Sequence, residues 1–245
     1  MADIISLDHV TAGYGQTVII EDLSLALPAG GLLAVLGRNG VGKSTLMKTI
    51  IGQTSLHQGD IVFDGEAIGH LEAYRRAQRG VGYVPQERDI FASLTVEENL
   101  LVAARPGPWT ASRVFEMFPN LAERRRNRGT EISGGEQQML TIGRALVGNP
   151  RLLLLDEPME GLAPVIVDQL LEALNVLRQD GSLAIILVEQ YVRLALDFAP
   201  RTVVLDRGRI VFDGESDRLA ADPEMMAALL GASGTGAGEQ TVAAN

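Results

Sequence analysis

The sequence contains no cysteine. Disulfides, zinc–thiolate centres and thiol nucleophiles are thereby excluded. It also lacks a long apolar run. A bilayer-spanning helix needs roughly 20 consecutive, mostly apolar residues, and no clean run here is longer than the six residues of 183–188. The opening Met-Ala-Asp-Ile-Ile-Ser does not have the basic-then-apolar layout of a secretory signal. A soluble chain of intracellular type is therefore expected. An excess of positive charge is missing as well: 21 Lys and Arg stand against 31 Asp and Glu, a net charge of −10. Proteins that bind nucleic acid or anionic membranes lean the other way, so no nucleic-acid partner is expected. His9, His57 and His70 are scattered, without metal-ligand spacing.

What is present can build a core. The 245 residues are 46% hydrophobic and 21% charged, which fits one large domain with a modest inserted lobe. Segments 4–10, 18–20 and 23–27 read as short strands. Leu32–Leu36 is a continuous apolar run between Gly30-Gly31 and Gly37, the pattern of a strand buried on both faces. A helix is expected over 44–51, then a strand over 61–63 ending at the Asp64-Gly65 turn, then Val81–Val84 stopped by Pro85. Residues 87–150 turn helical. The first helix there, 96–104, opens at Thr95 with Glu97-Glu98 in its first turn and ends at Arg105-Pro106; 112–117 and 136–147 follow. Segments 152–155 and 183–188 return to buried strands. Between them, 165–178 sets Ile166, Leu170, Ala173, Leu174 and Leu177 on one helical face. Segments 202–205 and 210–212 flank Asp206-Arg207-Gly208 as a hairpin, and Asp222-Pro223 starts a last helix. The tail, 231–245, is Gly, Ala, Ser and Thr and is expected to be disordered. Strands alternating with helices imply an α/β fold with a mostly parallel sheet. Ligands in such sheets bind outside the carboxyl ends of the strands.

Three motifs carry chemistry. Gly37-Arg38-Asn39-Gly40-Val41-Gly42-Lys43-Ser44, followed by Thr45, matches G-x-x-x-x-G-K-[ST] between a buried strand and a helix. Gly37, Gly40 and Gly42 let backbone N–H groups curl around phosphates, and the helix N-terminus adds a favourable dipole. Lys43 can neutralise β- and γ-phosphates, and Ser44 can ligate Mg²⁺. The second motif is an apolar strand, 152–155, ending in Asp156-Glu157. Asp156 is placed to support Mg²⁺, and Glu157 to hold or deprotonate an attacking water. The third is Ile132-Ser133-Gly134-Gly135-Glu136-Gln137-Gln138. Ser133, Gly134 and Gly135 at a helix N-terminus make a second set of backbone donors for an anion. Taken alone, that pattern is an ordinary helix cap.

Together the three motifs resemble the nucleotide-binding subunit of ABC transporters, over residues 4 to about 230. The resemblance implies a P-loop NTPase (RecA-like) core, 1–86 and 151–230, with an N-terminal antiparallel β subdomain and an inserted helical subdomain, 87–150. It implies a head-to-tail dimer with ATP and Mg²⁺ sandwiched between the P-loop of one subunit and Ser133–Gly135 of the other. Tyr14 in Gly13-Tyr14-Gly15 matches the aromatic that stacks on adenine. Gln86 in Val84-Pro85-Gln86 matches the residue that touches Mg²⁺ and relays contact with the membrane subunit. Two positions depart from the commonest pattern: Ala163 stands where many members have Asp, and Gln190 where most have a switch His. A Gln amide can donate a hydrogen bond but cannot carry a proton, so catalysis should lean on Glu157, with Gln190 assisting.

Glu-Gly-Leu-Ala-Pro, Leu-Val-Glu-Gln and Met-Phe-Pro-Asn-Leu are similar to the LivF-type ATPases of branched-chain amino acid importers. Gly-Arg-Asn-Gly-Val-Gly-Lys and Leu-Thr-Val-Glu-Glu-Asn-Leu also fit urea and short-amide importers. The implied partners are a second ATPase subunit, identical or related, two membrane permease subunits and, indirectly, an external solute-binding protein. The implied location is the cytoplasmic face of the inner membrane, peripherally bound. Exporter and non-transport ABC ATPases are the rival readings. Arg124-Arg125-Arg126 with Arg128, and Arg75, Arg76 and Arg79, read as solvated faces. Trp109 serves either packing or docking.

Overall fold

A computed structural model describes residues 2–231; the expected disordered tail lies, from 232 onward, outside the described residues. The strands are β1 (Asp3–Tyr14), β2 (Thr17–Pro28), β3 (Leu32–Leu36), β4 (Ser55–Phe63), β5 (Glu66–Ala67), β6 (Val81–Val84), β7 (Leu152–Asp156), β8 (Ala184–Val188), β9 (Arg201–Asp206) and β10 (Arg209–Glu215). Six of them form one sheet in the order β10-β9-β3-β8-β7-β6, parallel from β9 to β6. β10 is an antiparallel edge, turned back on β9 through Arg207 and Gly208. Both turn residues have positive φ, 45° and 77°, the twist a two-residue hairpin favours. The other sheet, β2-β1-β4-β5, is antiparallel.

Period-2 geometry explains how the two sheets share a core. In β3, Leu33 and Val35 face the antiparallel sheet, while Ala34 and Leu36 face the opposite side. β7 divides likewise into Leu152/Leu154 and Leu153/Leu155, and β8 into Ile186/Val188 and Ile185/Leu187. Successive side chains point to opposite faces, so a strand with both faces covered must be apolar throughout. The first face packs on Ile5, Leu7, Ile20, Leu25 and Phe63 of the antiparallel sheet. The second packs on helices. Each fully buried Leu contributes on the order of 2 kcal/mol of transfer free energy.

The helices are α1 (Lys43–Ile50), α2 (Ala73–Gln78), α3 (Val96–Leu101), α4 (Ala111–Met117), α5 (Pro119–Glu123), α6 (Gly134–Val147), α7 (Pro164–Asp180), α8 (Val192–Phe198), α9 (Ser216–Ala220) and α10 (Pro223–Leu230). The apolar face expected on 165–178 is the buried face of α7, through Leu170, Ala173, Leu174 and Leu177. α3 opens at Thr95 as expected, through a capping box between Thr95 and Glu98, but stops at Leu101, short of 104. There the chain turns, and the Arg105 N–H goes to Val147 O instead. α2, α5, α8 and α9 were not expected; at five to seven residues each, they are too short to show a helical period.

The two short segments 18–20 and 23–27 are one strand, β2. Two complementary bulges reconcile it with β1. Leu7↔Leu25 and Val10↔Leu23 leave an extra residue on β1, and Val10↔Leu23 and Ala12↔Ile20 leave one on β2. His9 and Asp22, at φ 48° and 51°, take up the slack and hydrogen-bond to each other at 2.7 Å. β4 runs from Ser55 rather than 61, because its polar first half is exposed at the sheet margin.

One arginine reading changes. Arg124 and Arg125 are exposed as expected, the latter paired with Glu97. Arg76 is 3% exposed. Its guanidinium donates to Thr49 O, Ile50 O, Gly69 O and Leu71 O. Two of these carbonyls end α1, so Arg76 supplies the C-terminal donor that helix lacks. A charge run cannot reveal this; only the return of α2 over α1 does. Trp109 is buried against the helical cluster with the Arg113 guanidinium stacked 3.8 Å from its ring centre, so it packs.

Candidate active site

The carboxyl ends of β3, β7 and β8 open on one cleft of about 430 Å³. The loop after β3 delivers Asn39, Gly40, Gly42, Lys43, Ser44 and Thr45 to it; Tyr14, Gln86, Glu157, Glu160 and Gln190 line the rest. Gly37 and Gln190 lie in an adjoining cleft of about 360 Å³. Glycine is required at two places on the loop. Gly42 begins α1 at φ 110° with no side chain capping that helix, leaving its first N–H groups for an anion. Gly37 has φ 149°, and a Cβ there would stand 2.5 Å from Leu205 O.

Lys43 is buried under this loop. Its Nζ donates to Gly37 O at 2.9 Å and Arg38 O at 3.2 Å and lies 3.2 Å from Glu157 Oε1. The other oxygen, Glu157 Oε2, accepts from Gln190 Nε2 at 2.5 Å. Glu157 has φ 48°. A non-glycine residue held there costs on the order of 1–3 kcal/mol and persists only where its surroundings demand it. Here its N–H donates to Val188 O, which anchors the turn to β8. Both carboxylate oxygens thus touch hydrogen-bond donors at the cleft floor. The arrangement can orient a nucleophilic water beside a bound anion.

Asp156 lies beneath. Ser44 Oγ donates to its Oδ1 at 3.0 Å, and Tyr83 Oη donates to its Oδ2 at 3.1 Å. Burial raises the Asp156 pKa above the usual carboxylate range; the Ser44 and Tyr83 hydrogen bonds oppose that, and the Glu157 charge adds to it. Burial and then the Asp156 charge hold the Tyr83 phenol far above its ordinary value, so it remains a donor. The oxygen pair Ser44–Asp156, with the Gln86 amide on the same cleft, has the hard-donor chemistry that suits Mg²⁺. Gln86 Nε2 is turned onto Glu160 Oε2.

Ser133, Gly134 and Gly135 do not line this cleft. They begin α6, where Ser133 Oγ accepts from Glu136 N at 3.3 Å and Glu136 Oε2 accepts from Ser133 N at 2.7 Å. The structure therefore joins the first two motifs in one chain and leaves the third facing elsewhere, beside Arg88.

Residues 20–160 match the family described as ABC transporter. The chain belongs to the ABC transporter family. It is 40% identical over 236 residues to the high-affinity branched-chain amino acid transport ATP-binding protein BraG of Pseudomonas aeruginosa, covering 93% of this chain and all of that one. It is 34% identical to the lipopolysaccharide export system ATP-binding protein LptB of Haemophilus influenzae, over 93% of this chain and 97% of that one. Among solved structures, the ATP binding subunit of an ABC transporter superposes with a TM-score of 0.76 at 27% identity, over 89% and 92% of the two chains. The architecture is accordingly that of an ABC ATPase. Among the described residues no helix is long and apolar enough to cross a membrane.

Three residues of the site escaped the sequence reading. Tyr83 gives no signal on a strand one side of which is buried anyway. Glu160 has no signal of its own within Glu-Gly-Leu-Ala-Pro. Glu189 follows an apolar strand, as Asp156 and Glu157 do; that shared pattern could have singled it out.

Proposed function

We propose that this chain is the ATP-hydrolysing subunit of an importer for branched-chain amino acids or related small polar solutes. It acts at the cytoplasmic face of the membrane, with a second ATPase subunit and two permease subunits. The observation that carries the ATPase reading is the chain Lys43–Glu157–Gln190 under a Gly-rich loop. In this reading Gly37, Asn39, Gly40, Gly42 and Thr45 cradle the phosphates, Lys43 pairs with the β- and γ-oxygens, and Tyr14 stacks on the adenine. Ser44, Gln86 and Asp156 hold Mg²⁺, which supplies charge neutralisation at the phosphates. Glu157 orients and deprotonates water, and Gln190 holds the far carboxylate oxygen in place.

Ser133–Gly135 serve the nucleotide of the partner subunit. Their separation from the cleft within one chain supports this, since a second donor set is of use only to another molecule's phosphates. The block 87–150, beginning beside Gln86, transmits the movement to the permease. The importer reading is supported by the higher identity to BraG and by Gln190 with Glu160–Pro164.

The test is co-purification with its permease pair, reconstitution, and ATPase measurement with a matching binding protein. Stimulation by leucine, isoleucine or valine is expected. Stimulation by urea or short amides alone selects the alternative importer, stimulation by lipopolysaccharide selects an exporter, and absence of any ATP hydrolysis overturns the whole assignment.

A further inference from the structure

Glu189 is a buried acid for which the proposed chemistry has no use. It is 1% exposed and sits between the end of β8 and the switch residue Gln190. Its backbone N–H reaches Val35 O, at the end of the strand that leads into the phosphate loop. Its two carboxylate oxygens go to different places. Oε2 accepts from the Gln190 N–H at 3.1 Å, and Oε1 accepts from the Met159 N–H at 3.3 Å. Met159 is buried and lies two residues after Glu157, in the loop that carries Glu160 and leads to Ala163. One residue therefore ties together three segments, β3 through its backbone N–H and, through its side chain, the loop after Glu157 and the switch segment.

We infer that Glu189 is a positioning residue, a carboxylate clamp that holds Gln190 against Glu157 and the loop beyond Glu157 in one fixed arrangement. A Gln at 190 makes such a clamp necessary. A hydrogen-bonded amide is neutral and has no charge of its own to lock it onto a carboxylate. The carboxylate at 189 replaces that lock from behind, through the backbone. Two donors on two oxygens suit an anion; a neutral amide at that place would turn its NH₂ group against one of them.

The clamp has a pH signature. Burial raises the Glu189 pKa to about 7; the Glu157 charge adds to the shift, and the backbone N–H groups oppose it. The charged groups near it are Glu157 at the end of β7 and Arg38, which lines the same cleft. Above that pH both oxygens accept strongly, and below it one carries a proton and the clamp slackens.

The inference rests on the ATPase reading, and the test keeps the two apart. ATPase kinetics are measured from about pH 6 to about pH 8 on the full chain with its permease, for the wild type and Glu189→Gln. Wild-type kcat should rise through a step near pH 7, and E189Q should lack the step. Its kcat should be about tenfold lower, the effect of roughly 1.4 kcal/mol lost at the transition state, with ATP affinity unchanged. An unchanged pH profile in E189Q overturns the clamp, as does a loss of kcat matched by an equal loss of ATP affinity. Absence of hydrolysis in the wild type overturns the ATPase reading instead. A second measurement needs no variant: in the wild-type protein, hydrogen exchange at the Met159 and Gln190 amides should be protected at about pH 8 and less protected, after correction for intrinsic rates, at about pH 6. Exchange at the rate of a free loop at both values overturns the clamp whether or not E189Q folds.

Discussion

Replacing Glu157 by Gln should do more than stop hydrolysis; it should tighten nucleotide binding before any dimer closes. Lys43 Nζ lies 3.2 Å from Glu157 Oε1, and both side chains are under a tenth exposed, at 4% and 7%. At an effective dielectric of about 20, unit charges at that separation attract by roughly 5 kcal/mol. Their desolvation offsets much of this, yet removing one member of such a pair leaves the other uncompensated at a cost of about 3–5 kcal/mol. In Glu157→Gln, Lys43 keeps neutral acceptors only, Gly37 O, Arg38 O and at most the new amide oxygen, and loses the carboxylate charge that faced it. The nucleotide-free variant should therefore lose stability, by about 2–4 kcal/mol in denaturant titration. An incoming phosphate no longer has to displace a carboxylate, and it neutralises a stranded charge. ATP and ADP affinities should each rise at least tenfold, about 1.4 kcal/mol, while hydrolysis falls by about 10²–10⁴, the range for loss of a general base. Calorimetric titration of both nucleotides and single-turnover hydrolysis measure the two effects separately. Normal hydrolysis in the variant would refute the role of Glu157. Lost hydrolysis with unchanged ADP affinity would refute the resting ion pair as a competitor of phosphate.

Other substitutions test other parts of the site. Tyr83→Phe removes a donor to Asp156 Oδ2, a charge-assisted bond of about 1.5–3 kcal/mol. Half-maximal activity should then need about tenfold more Mg²⁺, with nucleotide binding in chelator unchanged; an unaltered Mg²⁺ titration sinks the idea. Arg76→Ala strips four carbonyls of their donor and should cost about 3–5 kcal/mol of stability. Arg76→Lys should recover only part of that, because an ammonium cannot reach all four, and a loss under about 1 kcal/mol for Arg76→Ala would show the contacts to be idle. Ser133→Arg should leave nucleotide binding to the single subunit intact, since Ser133 does not line the cleft, but should abolish turnover. Loss of monomer binding in that variant would mean that α6 acts within its own chain.

Much of the fold was legible because its central strands have no polar face. Leu32–Leu36, 152–155 and 183–188 have the pattern of strands covered on both sides, and the structure places them as β3, β7 and β8 in the interior of the six-stranded sheet. The hairpin at Arg207-Gly208 and the cap at Thr95 were legible from local turn and cap chemistry. The polar half of β4 was not, because its pairing is set by β1 across the chain. The short helices α2 and α8 were not, because their stability comes from what they pack on.

The same division runs through the site. By itself, the sequence determined which chemical groups are present: a glycine loop with Lys43 and Ser44, an acid pair at a strand end, a serine-glycine helix start, and a non-titratable amide, Gln190, just past another apolar strand. Those are properties of short segments, in which spacing alone constrains the backbone. Only the tertiary structure decided how they meet. It set Lys43 against Glu157, Glu157 against Gln190, and Tyr83 under Asp156; it buried Arg76 at the end of α1 and Glu189 between two loops. Each of these contacts joins residues that lie far apart in the chain, with sequence separations of 26 to 114. Which distant groups become neighbours is settled by the packing of β3, β7 and β8, and the hydrophobic burial that drives that packing is blind to the polar pairs it creates.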